Sequence, residues 1–504
     1  MEVEWYMSAL WTMGWEIVFT PSVFGPFLAG VLLGVIFGAM PGVSASMAVV
    51  LALPFVYRMD SVAAIVFLVA VYCASITGGS ITAILYRVPG TSSSAPTALD
   101  GYTMAQRGET GKALGISLMA SSAGGLAGTF FMIWAAPLFS TAARALNPSE
   151  WFGVLLFSML VLACLDRRNF VKTLISGLLG LFLACVGKDP IGDNVRLAGG
   201  NAYLLSGIEM LPVMIGVFAA AEVLKRTEKG NHTSWADLEK PKTKEPIKII
   251  LPGFGELFRQ WKTWLRSSFL GILVGILPGA GATIASFLSY AIEKRVSKQK
   301  HLLGTGISEG IVASEAANNA ATGGSMVPLL SLGIPGGNAA AIIMAVMAAQ
   351  GVFLGPDLMV SHPKYLAGVF GSMVLTNLFV VAAAIFLAKS FARFLLVPYS
   401  LSGPVILMTA AAAAYGLHGQ FADVVLMAGA GIFGCVFIRL GYNASALILG
   451  MLLGPMCEAS FRRAYMAEGS FMWIFTNPDT TAILMICVVM LLYPLAKQFV
   501  VRRT

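Results

Sequence analysis

An all-α integral membrane protein is the fold this 504-residue sequence predicts, with about 12 transmembrane helices in two internal repeats and Pro-Gly-broken or re-entrant helices. Three observations predict it. The first is composition: 57% of residues are apolar and only 12% charged, with mean hydropathy +0.80, where soluble domains carry roughly a quarter charged residues. The second is a set of charge-free runs between Glu16 and Arg58, Asp60 and Arg87, Lys112 and Arg144, and Glu315 and Asp357. About 20 apolar residues span a bilayer core, so the first and last runs hold two crossings, or one crossing and a re-entrant piece. The third is a phrase written twice, 237 positions apart: Gly34-Val-Ile-Phe-Gly38-Ala-Met-Pro41-Gly42 and Gly271-Ile-Leu-Val-Gly275-Ile-Leu-Pro278-Gly279. A second pair follows, with Thr77-Gly-Gly-Ser80 leading to Pro89-Gly90 and Thr322-Gly-Gly-Ser325 leading to Pro335-Gly336. Matched interruptions of apolar segments in two halves point to a transporter's binding site, because irregular backbone at membrane depth survives only where protein or a watery cavity satisfies it.

The elements follow in order. Residues 1–20 carry Glu2, Glu4 and Glu16 but no Lys or Arg, and so lack the basic start of a cleavable signal peptide. They read as an interfacial helix with Trp5, Tyr6, Trp11 and Trp15 at the headgroups. Residues 21–224 form the first repeat. Its loops at Arg107–Lys112 and Asp166–Arg168 are basic and read as cytoplasmic, with single crossings at about 113–139, 150–165, 171–187 and 204–224 between them. Residues 225–265 form a cytoplasmic linker: Lys225 to Lys248 holds seven Lys or Arg against four Asp or Glu, and Phe254–Trp264 reads as a helix in the membrane surface. Residues 266–504 form the second repeat. Its Pro-Gly segment has 26 uncharged residues between Arg266 and Glu293, too few for two crossings. A hairpin turning at Pro278-Gly279 keeps both basic ends on one side; a single broken crossing violates the charge rule at one end. The relative orientation of the repeats depends on that choice.

Several function classes fall away. The basic residues form no stripe with interleaved aromatics, so the net charge of +8 is a membrane-topology signal and no nucleic-acid partner is expected. The six cysteines lie in apolar segments without CxxC spacing and read as packed thiols. No Walker phosphate loop, zinc-peptidase pair or Gly-x-Ser-x-Gly elbow occurs, so the chain is not expected to be an enzyme, and energy comes from an ion gradient.

Chemistry concentrates where small polar residues meet glycine and proline. The candidate substrate and ion site comprises Pro41, Gly42, Ser44 and Ser46; Thr77, Gly78, Gly79 and Ser80; and Arg87, Pro89, Gly90 and Thr91. From the second half come Pro278, Gly279 and Gly281; Asn318, Asn319, Thr322, Gly323, Gly324 and Ser325; and Pro335, Gly336, Gly337 and Asn338. Half-helix N-termini there attract carboxylates, and unwound carbonyls near Gly42, Gly79, Gly279 and Gly324 suit Na⁺, a hard cation. No covalent step and no organic cofactor are implied. Packing competes with each reading. For Gly34, Gly38, Gly271 and Gly275, spaced by four, packing is the better account; for the Pro-Gly and Gly-Gly-Ser clusters, the site is. Glu315 either faces that site or ends a helix at the interface. Arg87 either meets a substrate carboxylate or anchors a cytoplasmic loop, and His418 reads as a satisfied polar group rather than a proton relay.

Long stretches of these motifs resemble a known family. Gly38-Ala-Met-Pro41-Gly42, Gly78-Gly-Ser-Ile-Thr-Ala-Ile-Leu85, Pro89-Gly-Thr91, Thr97-Ala-Leu-Asp-Gly101-Tyr and Gly111-Lys-Ala-Leu-Gly115 are similar to the first half of the tripartite tricarboxylate transporter permeases, large subunit of TctA type. Glu309-Gly-Ile-Val-Ala-Ser-Glu315-Ala-Ala-Asn318-Asn319-Ala and Val327-Pro-Leu-Leu-Ser-Leu-Gly-Ile-Pro335-Gly336 resemble its signature in the second half. The resemblance implies a multi-pass protein of the bacterial inner membrane, a secondary transporter importing organic carboxylates of the tricarboxylate or dicarboxylate class with Na⁺ or H⁺. It implies two protein partners, a small four-helix membrane subunit and a periplasmic solute-binding protein, besides membrane lipid. The family's motifs carry over to Pro41-Gly42, Gly78-Gly79, Pro89-Gly90, Asn318-Asn319, Gly323-Gly324 and Pro335-Gly336. Two positions depart from the pattern: Ser44 stands where another glycine is common, and Arg87 where a small polar residue such as asparagine is usual. A passive anion channel and a non-transporting scaffold or sensor are the other classes this sequence leaves open; a channel shows no coupling to an ion gradient, and a scaffold moves no solute.

Overall fold

In the computed structural model, residues 2–166, 168–189, 191–192, 194–228, 248–394 and 399–501 are described. Residues 229–247 of the expected linker and Arg167 lie outside them. The first half runs α1 (Glu2–Phe19), α2 (Pro21–Ala39), α3 (Ala45–Val56), α4 (Ser61–Tyr86), α5 (Thr97–Gln106), α6 (Thr110–Arg144), α7 (Pro148–Leu165), α8 (Phe170–Ala184), α9 (Met210–Ile215) and α10 (Ala221–Glu228). The second runs α11 (Phe254–Arg259), α12 (Trp261–Ile276), α13 (Gly281–Val296), α14 (Ser308–Leu332), α15 (Asn338–Ala349), α16 (Leu358–Ser361), α17 (Pro363–Phe394), α18 (Tyr399–His418), α19 (Phe421–Arg439), α20 (Ala444–Glu468), α21 (Trp473–Thr476) and α22 (Pro478–Val501). A two-stranded ribbon pairs Gly187–Lys188 with Val195–Arg196. Among the described residues, eight helices are long and apolar enough to cross a membrane.

Glycine sets the helix crossings. A Cβ at Gly34 would lie 2.7 Å from the Val71 carbonyl oxygen, and one at Gly38 would lie 2.1 Å from that of Ser75, so α2 meets α4 backbone to backbone. Gly271 and Gly275 of α12 meet the Ala317 and Ala321 carbonyls of α14 in the same way. This is the small-residue packing expected for those four glycines. Gly124 and Gly128 of α6 press on the Ala316 and Ala320 carbonyls, which puts α14 between α6 and α12. Although α14 is almost wholly buried, it is not among the eight apolar helices. Its surroundings are protein, which can meet its polar groups, so low hydropathy costs it little.

The hairpin is the arrangement found in the second half. Arg266 of α12 forms an ion pair with Glu293 of α13, and the Thr263 hydroxyl donates to the same carboxylate at 3.0 Å. These contacts require α12 and α13 to fold back side by side about Pro278-Gly279, with both basic ends together. Two expected elements differ. The 204–224 crossing is interrupted: a short helix at Ala202–Ser206, α9, a π-helical turn at Gly216–Ala220 and α10 replace one helix. The close approach of Gly216 to the Met427 carbonyl of α19 lies where that π turn begins. The surface helix expected at 254–264 breaks at Gln260, and Trp261 and Trp264 open α12. At the amino end, Gly14 and Val18 of α1 pack on Gly371 of α17.

Candidate carboxylate site

The first half is interrupted twice, and the two interruptions bind each other. After α2 the chain turns through Pro41 and Gly42, the latter at φ +86°, and Ser44 caps α3 by accepting the Met47 amide at 3.2 Å. After α4, Arg87 takes a left-handed conformation at φ +58°. The Gly42 amide then donates to the Gly90 carbonyl at 3.2 Å, and the Gly90 amide to that of Gly79 at 3.1 Å. The second half repeats the arrangement: the Gly281 amide donates to the Gly336 carbonyl at 3.3 Å, and Gly333 at φ +67° caps α14. Arg87 and Gly333 both close their helices in the left-handed region, 246 positions apart. The close approaches keep that increment: Gly78 faces the Val35 carbonyl, and Gly324 that of Ile272. Contact geometry therefore pairs Gly78 with Gly324, one residue off the Thr-Gly-Gly-Ser match in the sequence.

Against the two first-half interruptions lies a cavity of about 520 Å³. Gly42, Ser44, Ser46, Pro89, Gly90 and Asn338 line it, six of the residues expected from sequence and drawn from both halves. Three helices begin at its wall: α3 after Ser44, α15 at Asn338, and α20 at Ala444 with Ser445 beside it. Helix starts attract anions through their free amides and positive dipole ends; at α20 Asn443 already accepts the Ser445 and Ala446 amides, and at α3 Ser44 accepts that of Met47. Lys225 and Arg226 of α10 supply positive charge. The Arg226 guanidinium donates to Glu222 at 2.9 Å and to the Pro41 carbonyl at 3.3 Å. It lies directly over Gly42, where a Cβ would come within 1.5 Å of Nη1. Val217 and Phe218 of the π turn form part of the apolar wall, and π turns are frequent at functional sites.

The other expected residues lie elsewhere. Thr77–Ser80 and Asn318–Ser325 are inside the unbroken helices α4 and α14 rather than at half-helix starts. The Thr77 hydroxyl donates to Asn319 at 2.8 Å, the Ser117 hydroxyl to Ser80 at 2.8 Å, and Ser325 shares a hydrogen bond with Tyr72 at 3.0 Å. Thr322 donates to the Asn319 carbonyl at 2.6 Å, and Gly323 packs on Gly128. Gly79 faces the Thr91 hydroxyl, which sits with Ser93 and Ser94 in a buried cluster. Asn318 differs: both its amide atoms are buried without a partner among the described residues. Pro278, Gly279 and Gly281 form the α12–α13 turn, with Gly279 against Leu162, while Pro335, Gly336 and Gly337 form the turn after α14. Of the four carbonyls suited to a cation, that of Gly324 loses its helical donor to Pro328, which has no amide hydrogen. Arg87 is exposed and lies 5.9 Å over the Tyr102 ring, as a loop anchor does. His418 bonds Asp423 at 3.0 Å, a satisfied polar group.

Sequence reasoning missed Glu222, Lys225 and Arg226. The two cations open a basic run and were read as linker, yet α10 continues through them to Glu228. The available signal was Glu222 four residues before Arg226, a helical ion-pair spacing.

The model of the tripartite tricarboxylate transporter TctA family matches residues 25–449. An uncharacterized 52.8 kDa protein in the TAR-I ttuC′ 3′ region of Agrobacterium vitis is 34% identical over 488 residues, 96% of each chain. An uncharacterized protein in the TAR-II ttuC′ 3′ region of the same organism is 37% identical over 228 residues, 44% of this chain and 94% of that relative. No solved structure matches. The chain therefore belongs to the TctA family of tripartite tricarboxylate transporters.

Proposed function

We propose that this protein is the membrane permease of a tripartite system and imports organic carboxylates, of the dicarboxylate or tricarboxylate class, coupled to Na⁺ or H⁺. One observation carries the reading: three helix starts meet a cavity lined by Lys225, Arg226 and the Glu222 that pairs with both, which leaves a net positive charge that complements carboxylates without a covalent step. The Arg226 fork suits bidentate recognition of a carboxylate, with Ser44, Ser46 and Asn338 for directional hydrogen bonds. Lys225 and Arg226 end α10 just before the basic linker, so the cavity faces the cytoplasm under the positive-inside rule, and this conformation is inward-facing. In this reading about 12 crossings form two repeats, which the repeated close approaches at increments of 237 and 246 support. The protein resides in the bacterial inner membrane and takes substrate from a periplasmic binding protein alongside a small four-helix subunit.

The experiment is uptake of labelled dicarboxylates and tricarboxylates by vesicles holding the complete system, with and without inward Na⁺ or H⁺ gradients. Gradient-dependent accumulation supports the reading. Equilibration without accumulation makes the protein a passive channel, and absence of flux across the panel favours a non-transporting scaffold.

A further inference from the structure

Glu315 lies within α14 and is fully buried. Its carboxyl oxygens accept the Thr97 hydroxyl at 2.5 Å and the Ser121 hydroxyl at 2.8 Å. Among the described residues no Lys, Arg or His pairs with it. Charged and titratable groups on the packed elements are engaged elsewhere or, like Lys294 and Arg295 of α13, exposed. On α4, Tyr72 and Cys73 meet Ser325 and Thr322. On α5, Asp100 accepts the Tyr290 hydroxyl of α13 and the amides of Gly304, Gly306 and Ile307, and Arg107 at the end of that helix binds the Thr305 carbonyl. Lys112 and Arg144 of α6 pair with Glu256 and Asp357, Glu309 of α14 accepts Ser297, and Arg266 of α12 pairs with Glu293. A carboxylate buried in a membrane protein without a countercharge is costly, and such residues mark ion and proton pathways.

We propose that Glu315 holds the coupling proton and is reached from the cavity along the hydroxyls of residues 91–97, an assignment that rests on the transporter reading above. Ser92 opens on the cavity. Thr91 shares hydrogen bonds with Ser93 at 3.0 Å and Ser94 at 3.3 Å, and Thr97 follows Ser94 by about one turn. In the protonation step the carboxylate takes up H⁺ and becomes a carboxylic acid, whose O–H donates to Thr97. Thr97 then donates to Ser314, already 2.8 Å away and itself donating to the Gly310 and Ile311 carbonyls. No hydroxyl in that chain is left without an acceptor. A proton fits this place better than a metal ion. Both carboxyl oxygens already hold hydroxyl donors, and α6 closes on α14 through Gly124, with no space for a Cβ beside Ala316. Asn318, about one turn further along α14, has both amide atoms unpartnered, which marks this stretch as incomplete in the present conformation.

The test uses vesicles carrying the complete system and the isosteric variant Glu315→Gln, which fixes the neutral state. Each unit of pH gradient drives about tenfold accumulation per coupled proton. The wild type accumulates substrate under an imposed pH gradient. Glu315→Gln loses accumulation but exchanges labelled for unlabelled substrate at near wild-type rate. Accumulation by Glu315→Gln equal to wild type overturns the assignment. So does wild-type accumulation that follows only a Na⁺ gradient, though that result leaves the transporter intact. A wild type that neither accumulates nor exchanges any carboxylate refutes the transporter reading and this assignment with it. If Glu315→Gln loses exchange as well, infrared titration of the purified proteins decides. A carboxylic-acid band that titrates in wild type and is missing in Glu315→Gln supports the assignment; a wild type without that band overturns it.

Discussion

Arg226 donates a hydrogen bond to the Pro41 carbonyl at 3.3 Å, and its guanidinium occupies the space that any side chain at position 42 would fill. A chain break in the first half and a charge at the end of α10, 185 residues apart in sequence, thus form one wall of the cavity. Gly42 serves twice there: it adopts φ +86°, and it leaves room for the cation.

Gly42→Ala tests that double role. The left-handed conformation costs an alanine about 1–2 kcal/mol, and the added methyl displaces Arg226. Uptake should fall steeply while the protein still inserts into the membrane, measured as transport per amount of folded protein. Wild-type uptake by Gly42→Ala would mean that Arg226 has no part in the site.

Gly38 offers a test of packing whose sign is informative. On an open helix face, Gly→Ala stabilises by about 1 kcal/mol. At Gly38 the new Cβ would lie 2.1 Å from the Ser75 carbonyl oxygen, whereas at Gly25, on the same helix, nothing lies within 4 Å. Thermal unfolding in detergent should show Gly38→Ala destabilised and Gly25→Ala neutral or stabilised. Equal shifts would contradict the backbone contact between α2 and α4.

Asn318→Ala should separate stability from function. A buried amide with no partner costs about 1–3 kcal/mol, so its removal raises the unfolding temperature. If Asn318 serves transport, uptake falls in the same variant. Gly79→Leu is a poorer probe of the site, because a Cβ there already lies 2.2 Å from the Thr91 hydroxyl and the larger side chain disturbs packing.

Arg87→Gly is expected to stabilise by about 1 kcal/mol, since glycine adopts the left-handed conformation without strain. Gly333 already occupies the matching place in the second half. Uptake should persist, because Arg87 is exposed and lines no part of the cavity described. Lost uptake in Arg87→Gly would restore this arginine to the site.

In the loop after α8, the amides of Ile191 and Gly192, then Arg462, hold the Asp189 carboxyl down at about 2. A carboxyl with a lowered folded-state pKa stabilises above its unfolded value, near 4, and loses that contribution as pH falls through about 2. The protection of this loop against hydrogen exchange, relative to the intrinsic rate at each pH, should therefore be unchanged from neutral pH to about 5. Asp189→Asn should accelerate exchange at neutral pH, and a loop loosened already by mild acid would contradict the ion pair.

Much of the architecture was legible because its causes are local. Pro41-Gly42 and Pro278-Gly279 end helices wherever they occur, and glycines four apart declare a helix contact in any membrane protein. Flanking basic residues favoured the hairpin that the Arg266–Glu293 pair requires. What was illegible depends on distant neighbours. Thr77–Ser80 and Thr322–Ser325 contain glycines that resemble breaks, yet each fits against a carbonyl or hydroxyl of another segment, so α4 and α14 continue. The one-residue offset between Gly78 and Gly324 is hidden because runs of small residues match in more than one register. Lys225 and Arg226 carry the composition of a linker, and only the fold of α10 brings both to the cavity and Arg226 over Gly42.

The most direct test of the proposed carboxylate site is the concentration dependence of labelled substrate uptake in wild type and Arg226→Gln, normalised to protein in the membrane. A hydrogen bond to a charged group contributes about 1.5–3 kcal/mol, so the half-saturating concentration should rise about tenfold to a hundredfold. An unchanged half-saturating concentration with full maximal uptake would show that the carboxylate binds elsewhere and contradict the account.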